Sequence, residues 1–248
     1  MNFLSLQGIG KRFGGAAPVL ADVSLEIGAG EFVAVVGASG CGKSTLLRQV
    51  AGLDRPSTGS IRWGEALGRG DLGMVFQDAS LMPWATVMAN VRLPFDLAGT
   101  PRSQSEERCS QMLSDVGLAE KSEAYPHVLS GGMKMRAALA RALATAPKVL
   151  LLDEPFAALD EITRQKLNDD LSVLWAERRM TALFVTHSIY EAVFLATRVV
   201  VMASGPGRVH ADVGIDLPFP RRRLSGEYLD CCRTVSGLLA DAMGGGGP

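Results

Sequence analysis

From Gly37 to Ser44 the chain reads GASGCGKS, a gapless match to the pattern G-x-x-x-x-G-K-[ST]. Glycines at 37, 40 and 42 let the backbone wrap closely around an anion. The successive N–H groups of Gly37, Ala38, Ser39, Gly40, Cys41 and Gly42 then act as donors, reinforced by the start of a following helix. Lys43 is placed to reach the β- and γ-phosphates of a nucleoside triphosphate. Ser44 brings a hydroxyl that can ligate Mg2+, and Thr45 sits on the α-phosphate side. The apolar run EFVAVVG (31–37) reads as a buried strand and KSTLLRQVAGL (43–53) as a helix, the flanks that this loop requires.

Two carboxylates follow a second apolar run, VLLLDEP. Asp153 at such a strand end can hold Mg2+ through water. Glu154, one residue on, points differently and is suited to polarise a water that attacks a γ-phosphate. A second helix start, LSGGMKMR (129–136), sets Ser130, Gly131 and Gly132 before an Ala-rich helix and also looks fit for an anion. Two anion-binding helix starts in one chain require an explanation. His187 ends the run TALFVTH and Gln77 the run LGMVFQ; each by itself reads equally well as a structural residue.

These residues need elements to carry them. Runs at 31–37, 72–77, 148–155, 181–187 and 197–203 are apolar on both faces, as in a mainly parallel sheet covered by helices. The alternating VLADVSLEI (19–27) reads as an exposed antiparallel strand. Helices are expected at 43–53, 161–180 and 189–196, the second with Leu167, Leu171 and Leu174 on one face. Residues from about 80 to 146 read as a helical insertion, ending in an Ala-rich helix stopped by Pro147.

Composition narrows the class. The 248 residues are 47% hydrophobic with 28 Gly, enough for a well-buried α/β core. A net charge of −1 argues against a basic nucleic-acid footprint, so no nucleic-acid partner is expected. No apolar run approaches the roughly 18 residues of a membrane span. The four cysteines form no C-x-x-C pair, so neither a disulfide framework nor a thiolate metal site is expected. Arg221–Arg223 reads as a solvated basic turn, with attraction to an anionic membrane surface as the alternative.

Taken together, the motifs resemble the nucleotide-binding subunits of ATP-binding cassette (ABC) transporters over nearly the whole chain. GASGCGKST looks like the Walker A loop, Gln77 the Q-loop residue, LSGG at Leu129–Gly132 the family signature, LLLDEP Walker B, and Asp160 the end of the D-loop. His187 matches the switch histidine, and Phe13 in KRFGG takes the place of the aromatic that stacks on adenine. The resemblance implies an α/β fold: a P-loop NTPase (RecA-like) core with a mainly parallel sheet, an N-terminal antiparallel β subdomain and a helical ABC-signature subdomain. It further implies one domain over 1–240. The core and β subdomain span about 1–80 and 147–215, the helical subdomain about 81–146 and a C-terminal helical extension about 216–240. A flexible tail follows at 241–248.

The same resemblance assigns roles. Gln77 would contact Mg2+ and the attacking water, His187 would hold the γ-phosphate, and Glu154 would be the catalytic carboxylate. Ser44, Gln77 and Asp153 would form the Mg2+ set. ATP would lie between Walker A of one subunit and the signature of another in a homodimer or heterodimer, which explains the second anion site. LMPW after the Q-loop and GPGR after the last core strand resemble the nitrate, sulfonate and taurine importer group. That implies membrane permease subunits, docked near Leu81 to Val91, a solute-binding protein acting indirectly, and a peripheral place on the cytoplasmic face of the membrane. Phe13 for the common Tyr, Met133 for Gln and Ser188 for Asp depart from the family pattern. The rival readings are a non-transport ABC ATPase, an ABC subunit for another solute, and a small-molecule kinase. The first generally brings coiled-coil insertions or two cassettes; the last would have no use for LSGG.

Overall fold

The computed structural model describes residues 2–244. The chain up to Ala66 together with that from Ser172 onward forms one compact unit, and Leu67–Leu171 forms another. The first holds β1 (Asn2–Lys11), β2 (Leu20–Gly28), β3 (Phe32–Gly37), α1 (Lys43–Val50) and β4 (Thr58–Trp63). The second holds β5 (Leu72–Val75), α2 (Val87–Leu97), α3 (Arg102–Asp115), α4 (Gly131–Leu143) and β6 (Val149–Asp153). Helix α5 (Glu161–Arg178) starts in the second unit and ends in the first, which continues with β7 (Thr181–Val185), α6 (Ile189–Leu195), β8 (Arg198–Ala203), β9 (Arg208–Gly214) and α7 (Gly226–Gly244).

In the first unit an antiparallel sheet runs β2-β1-β4. Its logic is alternation: Leu20, Val23, Leu25 and Ile27 of β2 are buried while the residues between them face outward. Beside it in sequence lies a parallel set in which β3 pairs with β7 on one side and β8 on the other, and β9 closes the edge antiparallel to β8. Every residue of Phe32–Gly37 and Thr181–Val185 is buried, as expected of strands covered on both faces. Helices α1, α6 and α7 provide the cover, α1 on β3 and β7, α6 on β3 and β8, and α7 on β8 and β9.

The expected solvated turn at Arg221–Arg223 is not what forms. Arg221 is 7% exposed, and its guanidinium donates to the carbonyls of Val193 (2.5 Å), Ala196 (2.7 Å) and Ile215 (3.3 Å). Burial lowers its pKa to about 10, so it stays charged at neutral pH. Three basic letters in a row conceal one structural arginine because the acceptors are main-chain oxygens, which leave no mark in the sequence. The C-terminal helix also continues to Gly244, past the expected start of a tail at 241; residues 245–248 lie outside the described residues.

In the second unit β5 and β6 pair in parallel, Val75 opposite Leu152. Helix α2 packs on α3 and α4, and α4 lies against β5. A Cβ at Gly73 would come within 2.5 Å of the Ala142 carbonyl, so the α4–β5 approach requires glycine there. The fully buried Asn90 knits the loop before α2: Oδ1 accepts from the Met82 N–H, and Nδ2 donates to the carbonyls of Met82, Ala85 and Thr86.

Candidate functional site

The loop from Gly37 to Gly42 links β3 to α1, the strand–loop–helix context the motif requires. It is held tightly from behind. A Cβ at Gly37 would lie 2.7 Å from Cys41 Sγ and 2.8 Å from the Met202 carbonyl. Gly42 has φ +96°, and a Cβ there would meet Leu20 Cδ2 at 2.5 Å. Lys43 is 4% exposed, and its Nζ donates to the carbonyls of Gly37 (2.9 Å) and Ala38 (3.0 Å). The ammonium is thereby fixed over the loop itself, where an anion wrapped by the loop would meet it. Ser44 and Thr45 open α1 and are half-buried.

His187 is brought to the same edge of the sheet. Val35 of β3 pairs with Val185 of β7, so Gly37 and His187, each two residues further on, leave the carboxyl ends of neighbouring parallel strands. The Thr186 N–H donates to the Val35 carbonyl, which ties the two exits together. The imidazole-bearing residue is exposed. Phe13 lies in the β1–β2 loop, 52% exposed, with Lys11 Nζ 4.8 Å from its ring centroid. The start of β2 in that hairpin packs, through Leu20, against the Gly42 position. An exposed aromatic thus stands on a hairpin that touches the phosphate loop.

In the second unit the remaining residues gather at two places. Asp153 ends β6 and is 4% exposed, a buried carboxylate at a strand end. Glu154 follows at φ +44°, the left-handed region that a non-glycine residue occupies at a cost of roughly 1–2 kcal/mol. Gln77 stands two residues past Val75, and the β5–β6 register brings it to the same carboxyl edge as these carboxylates. Elsewhere Ser130 caps α4, its Oγ accepting from the Met133 N–H at 3.3 Å and keeping its own O–H to donate. Gly132 is buried; a Cβ there would strike Thr163 Cγ2 at 2.4 Å. Asp160 accepts from the Thr163 N–H at 3.0 Å at the start of α5. Its hydrogen bonds with Thr163 hold its carboxyl below the usual range. The expected signature and D-loop residues are therefore packed through Thr163.

Two supports were not legible in the sequence. Gly207 of the GPGR turn backs the phosphate loop: a Cβ there would lie 2.0 Å from the Cys41 carbonyl and 3.0 Å from that of Val19. Its glycine in a turn was the available signal. Arg141 of α4 donates to the carbonyls of Ser80 (2.9 Å) and Ala79 (3.0 Å), and so ties the helix begun by Ser130 to the segment after Gln77. No sequence pattern marks it.

Within the second unit, the Gln77 amide and the Asp153 carboxylate at one strand edge offer oxygen donors of the kind a hard cation such as Mg2+ takes. Among the described residues no cluster of three or more His, Cys, Asp or Glu could hold a metal by itself.

A strand–loop–helix built to wrap an anion, with a buried lysine over it, marks a nucleotide-binding chain. The family model for ABC transporters matches residues 20–157, and the chain belongs to this family as an ABC transporter ATP-binding protein whose reaction is ATP hydrolysis. It is 47% identical to an aliphatic sulfonates import ATP-binding protein of Rhodopseudomonas palustris, over 90% of this chain and 78% of that one. It is 48% identical to a nitrate import ATP-binding protein of Synechocystis, over 85% and 79%. Among solved structures it matches the dimeric, post-hydrolysis state of an ATP-binding cassette bound to ADP and Pi. There the TM-score is 0.77 at 31% identity, covering 87% of this chain and all of that one. Among the described residues no helix is long and apolar enough to cross a membrane.

Proposed function

We propose that the chain energises the import of a small oxyanionic solute of the nitrate, sulfonate or taurine kind, as a pair of ATPase subunits beneath a membrane permease. The observation that carries the transport reading is the near-full-length likeness to relatives named for sulfonate and nitrate import. An assembly of this kind would sit at the cytoplasmic face of the membrane and receive solute from a separate binding protein. Deleting the gene tests this. Uptake of nitrate, taurine or an alkanesulfonate should be lost; unchanged uptake of all three would refute the solute class.

Within the site, the adenine would stack on Phe13, and the triphosphate would be wrapped by Gly37 to Thr45 with Lys43 at the β- and γ-phosphates. Mg2+ held by Ser44, Gln77 and Asp153 would supply neutralisation of the phosphate charge. Glu154 orients and deprotonates the attacking water, Gln77 reports its presence, and His187 holds the γ-phosphate. The strained φ of Glu154 supports this reading, because a backbone cost persists where the direction of a side chain is needed.

The signature loop completes the site of a second copy. Ser130 and the exposed Gly131 open α4, and the Ser130 hydroxyl and the first N–H groups of the helix offer donors to the partner's γ-phosphate. ATP favours the closed pair because those donors meet an anion only across the interface, and phosphate release removes that anion. Movement then reaches the permease through the segment after Gln77. Trp84 there is 76% exposed, as a docking residue would be, while Met82 is half-buried. In the same unit a cleft of about 780 Å3, bordered by Ser80, Leu72, Phe95 and the arginines 69, 108 and 141, offers room for a partner's helix.

A further inference from the structure

The loop that carries His187 leads straight into a helix too short to hold itself. Helix α6 has seven residues, less than two turns, and isolated helices of that length are unstable. Its placement must come from outside. On the loop side, Thr186 is 1% exposed; its Oγ1 donates to Glu191 Oε2 at 2.6 Å and accepts from the Ser188 N–H at 3.0 Å. Ser188 caps the helix by accepting from the Glu191 N–H at 3.3 Å. The residues on either side of His187 are therefore tied through their hydroxyls to Glu191 in the first turn of α6, so a shift of that turn is carried to the loop that bears the imidazole.

That turn is held by the C-terminal segment. The Tyr228 hydroxyl of α7 donates to the Tyr190 carbonyl at 2.8 Å, and Tyr228 is 2% exposed. At the other end of α6, Arg221 takes the Val193 and Ala196 carbonyls, two acceptors that a helix C-terminus leaves unmatched. Arg223 lies 3.7 Å from the Phe194 ring centroid. Both ends and one face of α6 are thus fixed by residues after 220, a stretch to which the hydrolysis chemistry assigns nothing. Burial pushes the Tyr228 phenol above its usual value, so the group stays protonated and remains a donor throughout the working range.

We infer that the C-terminal segment is a brace for the catalytic histidine, with Tyr228 as a positioning residue that sets His187 through the Tyr190 carbonyl. This rests on the role proposed for His187. Tyr228→Phe keeps the ring and removes the hydroxyl, and with it the bond to the Tyr190 carbonyl and the contact with Cys232. In the full-length protein it should lower kcat for ATP about threefold to tenfold, the range of one such bond, with KM for ATP within about twofold. The chain has three histidines, so the His187 imidazole signal can be assigned by NMR against His187→Ala; it should shift in Tyr228→Phe. Ile27→Val, in the buried face of β2, serves as a control that loses stability far from α6 in sequence, and it should leave both the signal and kcat unchanged.

An unmoved His187 signal with wild-type kcat in Tyr228→Phe would overturn the brace. So would an equal loss of kcat in Ile27→Val, which would reduce the effect to general stability. Full turnover in His187→Ala would instead strike the role of His187 itself, and with it the kinetic part of the inference. The NMR shift would still decide whether Tyr228 places the imidazole.

Discussion

Substituting Gly207 by alanine tests how strictly the phosphate loop is held. A Cβ there falls 2.0 Å from the Cys41 carbonyl oxygen, 3.0 Å from that of Val19 and 3.0 Å from Leu20 Cδ2. Leu20 can turn aside, but the two carbonyls belong to main chain. Gly207 is itself pinned, its N–H donating to the Val19 carbonyl at 2.9 Å and its carbonyl accepting from the Ala21 N–H at 2.9 Å. A normal carbon–oxygen contact needs about 3.2 Å, so Cys41 or the turn must retreat by roughly 1 Å. Overpacking of this kind costs about 1–3 kcal/mol of stability. A displacement of that size in an anion-wrapping loop weakens binding by roughly ten- to a hundredfold. The assay is isothermal titration with ATP, beside Gly214→Ala, where a Cβ meets nothing within 4 Å. The control should bind as wild type. If Gly207→Ala also bound as wild type, the turn would not be the support of the loop.

Lys43→Ala should bind ATP at least about a hundredfold more weakly, since it removes the buried ammonium over the loop; unchanged affinity would contradict the phosphate-loop assignment. Arg221→Met should cost roughly 2–3 kcal/mol, leaving the Val193 and Ala196 carbonyls without their charged donor, and lower Tm by about 5–10 °C in a thermal melt. Asp160 gives a pH signature. Its folded pKa lies below the ordinary 3.8, so the stability it adds to the start of α5 is complete above that value and fades as pH falls through the lowered one. The Tm gap between wild type and Asp160→Ala should therefore be steady at neutral pH and narrow in acid.

Strands apolar on both faces, such as FVAVVG and TALFV, were legible because burial on two sides leaves no alternation to confuse. Three strands carry no such mark in the sequence, for the opposite reason. β9 lies at the sheet edge with half of RVHADVG exposed and no fully buried residue, β4 is nowhere fully buried, and β1 is interrupted by Gly8 and Gly10. Within the site, Gly37 to Ser44 could be found from spacing alone, since the chemistry resides in consecutive residues. Arg221, Tyr228 and Arg141 could not, because each acts on a main-chain carbonyl distant in sequence. Nor does anything in the letters DE show that Glu154 sits at positive φ.

If Ser130 completes a nucleotide site on a second copy, pairing on ATP must depend on it. Glu154→Gln, which should bind ATP but hydrolyse it at least about a hundredfold more slowly, provides the state in which to ask. Sedimentation velocity with ATP should show Glu154→Gln as a dimer. Glu154→Gln combined with Ser130→Arg should keep the same ATP affinity yet remain a monomer. A double variant that dimerises on ATP as readily as Glu154→Gln would contradict a role for Ser130 in the partner's site.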